Sequence, residues 1–178
     1  MQMSGILKKN NGFTLLEMIA VMIVIGIVSV VVVISMMQTS SSLAGYTALL
    51  KTHLRYAQTL AMNSDTGNIW GIRFNLGSDQ YWLFKCADPL NCDSSDTNSQ
   101  VLPIEDADSS RKILLGDQGL DIISISAGIA VAFDNNGIPQ KGISAFTPLT
   151  NDVSITLADT ATGESRTITI TQQTGFIP

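Results

Sequence analysis

The sequence predicts an α+β protein: one long N-terminal helix packed on an antiparallel β-sheet. Three observations predict it. A block of 20 residues, Met18 to Met37, carries no charge. An amphipathic stripe at steps of three and four follows it, and beyond residue 67 the apolar pattern switches to period two.

The uncharged block comes first. Twenty residues make about 30 Å of helix at roughly 1.5 Å per residue, enough to cross a hydrocarbon core. No proline interrupts it, and Val, Ile and Met dominate. These are modest helix formers in water, but lipid forces the backbone to close its hydrogen bonds internally. Lys8 and Lys9 lie just before the block and the next basic residue is Lys51. That asymmetry predicts a cytoplasmic N-terminus and an exported remainder.

From Leu43, apolar residues recur at Tyr46, Leu50, Leu54, Ala57 and Ala61, with Leu49, Tyr56 and Leu60 widening the stripe. This predicts that the helix continues past the membrane with one face against a domain. Asn63-Ser64-Asp65-Thr66-Gly67 supplies the turn chemistry that ends it. The expected division is residues 1–12, a basic segment ahead of the helix; 13–37, the membrane helix; 38–66, its amphipathic continuation; and 67–178, a β-rich globular part.

In that last part Ile69–Phe74 and Tyr81–Cys86 read as strands joined at Gly77-Ser78-Asp79. Ile129–Phe133 is a third strand, closed by Asp134-Asn135-Asn136-Gly137. Val153–Leu157 and Thr167–Thr171 alternate cleanly around Thr162-Gly163 and predict a hairpin. Ile113–Leu115 and Ile122–Ile125 are weaker strand candidates. Residues 87–112, acidic and with Pro89 and Pro103, read as an exposed loop.

Composition narrows function. Net charge is −5, and an acidic surface repels phosphate, so nucleic acid is a poor default partner. One histidine and two cysteines exclude His-based metal clusters and four-cysteine zinc sites. His53, flanked by Leu49, Tyr56 and Leu60, reads as a helix residue at the boundary of the core rather than as a catalytic base. No Gly-x-Ser-x-Gly elbow is present. The expectation is therefore no enzyme activity and no cofactor. Asp93, Asp96 and Asn98, or Glu105, Asp106 and Asp108, offer hard oxygens for Ca²⁺ but at no EF-hand spacing; the simpler reading is a solvated acidic cluster. Cys86 and Cys92, six positions apart on the exported side, are expected to form a disulfide. Closing so short a loop contributes about 2 kcal/mol on a chain-entropy argument.

Readings of the N-terminus compete. Ser42-Leu43-Ala44 before Gly45 offers a small-x-small secretory cleavage site, yet the apolar block exceeds the roughly 7–15 residues of a signal peptide. A plain single-span anchor and a buried globular helix are the others. Glu17 separates them. A carboxylate deep in a membrane helix costs roughly 2.5–3.5 kcal/mol, less at the interface, and a plain anchor has no use for one.

Lys8-Lys9-Asn10-Asn11-Gly12-Phe13-Thr14-Leu15-Leu16-Glu17-Met18-Ile19 resembles the class III signal of type IV prepilins and type II secretion pseudopilins. The resemblance implies cleavage by prepilin peptidase between Gly12 and Phe13, N-methylation of Phe13, and a role for Glu17 in filament assembly. It implies as partners other pilin or pseudopilin subunits, the peptidase, an inner-membrane assembly platform, and lipid before assembly. The product would carry 8 basic and 15 acidic side chains, a net −7. Phe133-Asp134-x-x-Gly137, the Thr/Ile strands and the closing Gly175-x-Ile177 are similar to minor pseudopilins and minor pilins of the GspH/FimT class, including those of hemagglutinin-type pili. This implies a structural subunit, first anchored in the bacterial inner membrane and then in a pilus or pseudopilus. The alternative is an adhesin or DNA-capture pilin acting through the acidic loop. For DNA the basic residues are too few: after Lys141 only Arg166 remains.

Overall fold

The computed structural model describes residues 15–64, 67–95, 99–103 and 111–178, with the backbone alone for 28–41. Among the described residues its elements are a helix α1, Leu15–Met62, a 3-10 turn, Gly116–Gln118, and ten strands. The chain divides into two compact units, residues 1–38 and 39–178.

In the first unit, the described side chains from Leu15 to Ile27 are exposed around the whole helix. Leu15 and Leu16 are about four-fifths exposed. Among the described residues no helix is long and apolar enough to cross a membrane. The side chains described reach only Ile27, so the apolar run 18–37 lies partly outside them.

In the second unit, α1 buries Leu43, Thr47, Leu50, Leu54, Ala57 and Ala61. The stripe is the expected one except that Thr47 and His53 lie inside it and Tyr46 sits at the margin. Thr47 is tolerated there because its hydroxyl donates to the Leu43 carbonyl at 2.6 Å. At the end of α1, the Asn63 amide and the Ser64 hydroxyl donate to the carbonyls of Thr59 and Leu60, taking up acceptors that the last turn leaves open.

The β part holds two antiparallel sheets where the sequence led us to expect one. The first contains β1 (Ile69–Asn75), β2 (Gln80–Cys86), β3 (Ser99–Gln100), β4 (Lys112–Leu114), β6 (Ala130–Phe133), β7 (Pro139–Gly142) and β8 (Phe146–Pro148). Its order is β3-β2-β1-β6-β7-β8, with β4 also paired to β2. The second is β10-β9-β5, built from β5 (Leu120–Ile125), β9 (Val153–Asp159) and β10 (Ser165–Ile170). The predicted β9–β10 hairpin is present, with Ile168 opposite Ile155. Asp159 closes it by accepting the amides of Ala161 and Thr162 at 2.9 and 2.8 Å. Those bonds, Thr162 first, hold its carboxyl below the usual range.

The first sheet is buried on both faces. Ile72, Phe74, Tyr81, Leu83, Val131 and Phe133 meet α1 and the second sheet in the main core. Ile69, Trp82, Phe84, Cys86, Ala130 and Ala132 form a smaller core on the other face, under Cys92 and Phe146. Gly71 lies opposite Ala132, and a Cβ there would come within 2.5 Å of the Val131 carbonyl. Only glycine fits so close an approach.

The exposed loop expected over 87–112 is corrected in its described parts. It contains β3, paired to Leu83 and Phe84, and it buries Ser94 and Leu102. Residues 96–98 and 104–110 lie outside the described residues. Beside β3, two further strands, β7 and β8, went unpredicted.

Candidate functional site

The N-terminal segment is the first candidate. Lys8, Lys9, Gly12 and Phe13 lie outside the described residues. Glu17 falls in the first turn of α1, with its side chain exposed. The unsatisfied amides of a helix N-terminus carry positive partial charge, so a carboxylate is favoured at this end. The surface behind it is apolar on every side: Met22, Ile23, Val24 and Ile25 are each more than half exposed. A helix apolar all round belongs against lipid or against other helices.

The second candidate is a pair of buried groups between helix and sheet. His53 is fully buried, and its Nδ1 lies 3.0 Å from the Tyr81 hydroxyl, itself buried. Among the described residues its Nε2 has no partner. Burial pushes the imidazole down to about 4 and the phenol of Tyr81 upward, so both stay neutral at physiological pH. This arrangement ties α1 to β2. It places no imidazole in solvent, which is the boundary role expected of His53 carried fully into the core.

The third group was not assembled by sequence reasoning, although its parts were noticed. Phe133, Asp134, Gly137, Gly175 and Ile177 converge beside α1. Asp134 accepts the amides of Asn136 and Ile138, and Gly137, at φ 76°, closes that turn. Gln58 of α1 donates to the Gly137 carbonyl at 3.0 Å and to Thr174 at 3.3 Å. Arg55 donates to the Ile177 carbonyl at 2.6 Å, while the Ile177 side chain enters the main core. Gly175 has φ 63°, and a Cβ on it would lie 2.5 Å from the Gln58 amide and 2.6 Å from the Gly137 carbonyl. The turn, the C-terminal segment and the helix thus meet where two glycines leave room for one amide. The glycines were visible in sequence; Gln58 and Arg55, polar residues flanking an amphipathic stripe, gave no signal.

Cys86 and Cys92 are joined, with Cα atoms 5.3 Å apart. Both sulfurs belong to the smaller core, so the bond closes the second face of the sheet. Of the acidic residues considered for Ca²⁺, only Asp93 is described, and it accepts the Ser95 amide. Among the described residues no group of three or more metal-ligating side chains is found.

Comparison with known families bears on the first candidate. Residues 7–33 match the family model described as the prokaryotic N-terminal methylation motif. The chain carries a type IV pilin-like prepilin signal. The matched span runs from the basic leader through Gly12, Phe13 and Glu17 into the apolar helix. It supports a type IV pilin-family protein and points to a structural subunit. No curated protein and no solved structure matches the chain. The architecture agrees with that signal: an N-terminal helix with an exposed apolar section, whose later section packs on antiparallel sheet in the second unit.

Proposed function

We propose that this chain is a minor pilin or pseudopilin of the GspH/FimT class, a structural subunit carried by its N-terminal helix into a type IV pilus or a type II secretion pseudopilus. The methylation motif over residues 7–33 is the observation that carries the reading. In this account Lys8 and Lys9 hold the leader at the cytoplasmic face of the inner membrane, and the segment 13–37 spans the bilayer. The domain beyond lies in the periplasm, where Cys86 and Cys92 oxidise. Prepilin peptidase cuts between Gly12 and Phe13. A glycine on the leader side gives the protease unhindered access, and the new Phe13 amine is N-methylated.

Glu17 then lies four residues from that amine. In a helix-packed filament core both charges are poorly solvated, and opposite charges attract far more strongly there than in water. Glu17 pairs with the amine of a neighbouring subunit and fixes the axial register of the incoming helix. By the family resemblance, a retained Glu17 suits a chain that sits below another subunit rather than at the extreme tip. Glu17→Gln tests this, because it removes the charge and keeps the shape. Processing at Gly12 and membrane insertion stay at wild-type levels, while recovery in sheared filaments or in the minor-subunit complex falls at least tenfold, about 1.4 kcal/mol of lost pairing. Wild-type recovery of the Gln variant would remove Glu17 from assembly.

A further inference from the structure

We propose that the outer edge of β10 is a docking edge for one extended strand of a neighbouring, different subunit. The choice of partner rests on the proposed function; the edge itself rests on the backbone. Hydrogen bonding along β10 alternates. The Asp159 amide donates to the Glu164 carbonyl at 2.9 Å, which makes these two a bonded pair. Counting by two along the register, Arg166, Ile168 and Ile170 turn their amides and carbonyls to β9. Ser165, Thr167 and Thr169 turn theirs outward, at a repeat of about 6.8 Å. All three residues are exposed, and β10 is the last strand of its sheet.

The chain itself shows what this edge accepts. Past Ile170 the next outward residue is Thr171. Its amide donates to the Phe176 carbonyl at 3.0 Å, and its carbonyl accepts the Gly175 amide at 2.8 Å. Gly163 and Glu164 close on Asp159 in the same way to make the β9–β10 hairpin, so the tail begins a further strand beside β10. It does not continue one. Arg55 holds the Ile177 carbonyl at 2.6 Å and the Ile177 side chain enters the main core, which draws the backbone off the edge after Phe176.

The other sheet edges among the described residues are short or blocked. β3, β4 and β8 have two, three and three residues, and Pro148 in β8 has no amide to donate. β5 is broken by a bulge between Ile122 and Ser124, and the Asp79 carboxylate takes the Ile122 amide at 2.9 Å. β10 runs six residues in unbroken register, without proline and with Arg166 as its one charge. Such an edge is a template for strand addition, in which main-chain bonds supply the affinity. A second copy does not suit it. Two β10 edges pair antiparallel about a two-fold axis normal to the sheet, and that axis reverses the α1 turns packed against it. Subunits anchored in one membrane carry those helices parallel. The occupant is therefore a strand of a different subunit. Hydroxyl or β-branched side chains suit the positions beside Thr167 and Thr169, and a carboxylate suits the position near Arg166.

The test uses the full ¹⁵N-labelled chain in detergent micelles. The probe is a peptide with the sequence of Val153–Asp159, the strand that β10 already accepts on its other side. Amide exchange is read by NMR. The peptide should slow exchange at Thr167 and Thr169 at least tenfold and saturably. Of two versions N-methylated at alternate residues, one set and then the other, one should lose this effect. Thr167→Pro removes an outward amide and should abolish binding, while the Ile168 amide, bonded to β9, reports that the variant is folded. If Ile168 loses its protection, the N-methylated peptides on the wild-type chain decide. In a host that assembles the filament, Thr167→Pro should be cleaved before Phe13 as the wild type is, yet be recovered with its partner subunits at least tenfold less. Failed cleavage would count against the proposed function and leave the peptide result standing. The inference is overturned if the peptide leaves Thr167 and Thr169 unchanged, if both N-methylated versions act alike, or if folded Thr167→Pro is recovered at wild-type levels. It is equally overturned if protection appears without peptide and rises with protein concentration, which would make a second copy the occupant.

Discussion

Two residues carry consequences out of proportion to their size. Gly175 sits in the left-handed region against Gln58 and the Gly137 carbonyl, so an added methyl meets both backbone strain and a backbone atom. Gly175→Ala is expected to destabilise the domain by about 2–3 kcal/mol, read as a lower midpoint in urea with an unchanged slope. An exposed glycine of similar φ, Gly163, has open space around it, and its alanine variant loses about 1 kcal/mol. His53 supplies a pH dependence. Its folded-state value of about 4 lies below the ordinary 6.5, so protonation favours the unfolded chain. The stabilisation is complete above pH 6.5 and is lost as pH falls from 6.5 towards 4, a total of about 3 kcal/mol. His53→Phe should flatten the stability profile across that window even though its absolute stability at neutral pH also changes. Denaturant titrations at half-unit steps check this, and an unchanged slope in the variant would assign the acid sensitivity to carboxylates. The burial of His53 was legible in its apolar helical neighbours; its partner Tyr81 was not, because the pairing spans 28 positions.

At the scale of elements, legibility followed periodicity. The second half of α1, β1, β2, β6 and the β9–β10 hairpin announced themselves through three-four steps, strict alternation and turn glycines. The strands β7 and β8 did not. Pro139-Gln140-Lys141-Gly142 has little β propensity, and its extended form comes from pairing with β6, a tertiary effect that overrides local preference. The same override draws part of the acidic 87–112 stretch onto the outer edge of β2. A second core on the far face of the sheet was equally hidden, since β2 is buried at most positions and alternation cannot say what covers each side. The disulfide belongs to this second core. Replacing Cys86 and Cys92 together by alanine is expected to cost about 2–3 kcal/mol, combining the loop-closure contribution with loosened packing around Phe84 and Phe146. Thermal unfolding with and without reductant should show the wild-type protein falling to the level of the double variant, which itself ignores reductant.

The whole molecule joins two chemistries along one helix. Its first unit presents an apolar surface that water does not tolerate, and its second buries the same helix's later turns in a protein core. In the proposed account such a chain passes from lipid into a helix-packed filament without altering its domain, once the leader is removed and Glu17 meets an amine. The motif that carries this account was readable in residues 8–19 because it is local, and the family model matches the same stretch. The fold that follows is set by long-range pairing and only partly shows through. The central claim is processing at the signal, and the mass of the mature N-terminal peptide tests it most directly. Protein extracted from the membranes of a host that contains prepilin peptidase should begin at N-methylated Phe13, with Lys8 and Lys9 gone. An N-terminus at Gly45, or an intact leader under those conditions, would contradict the account.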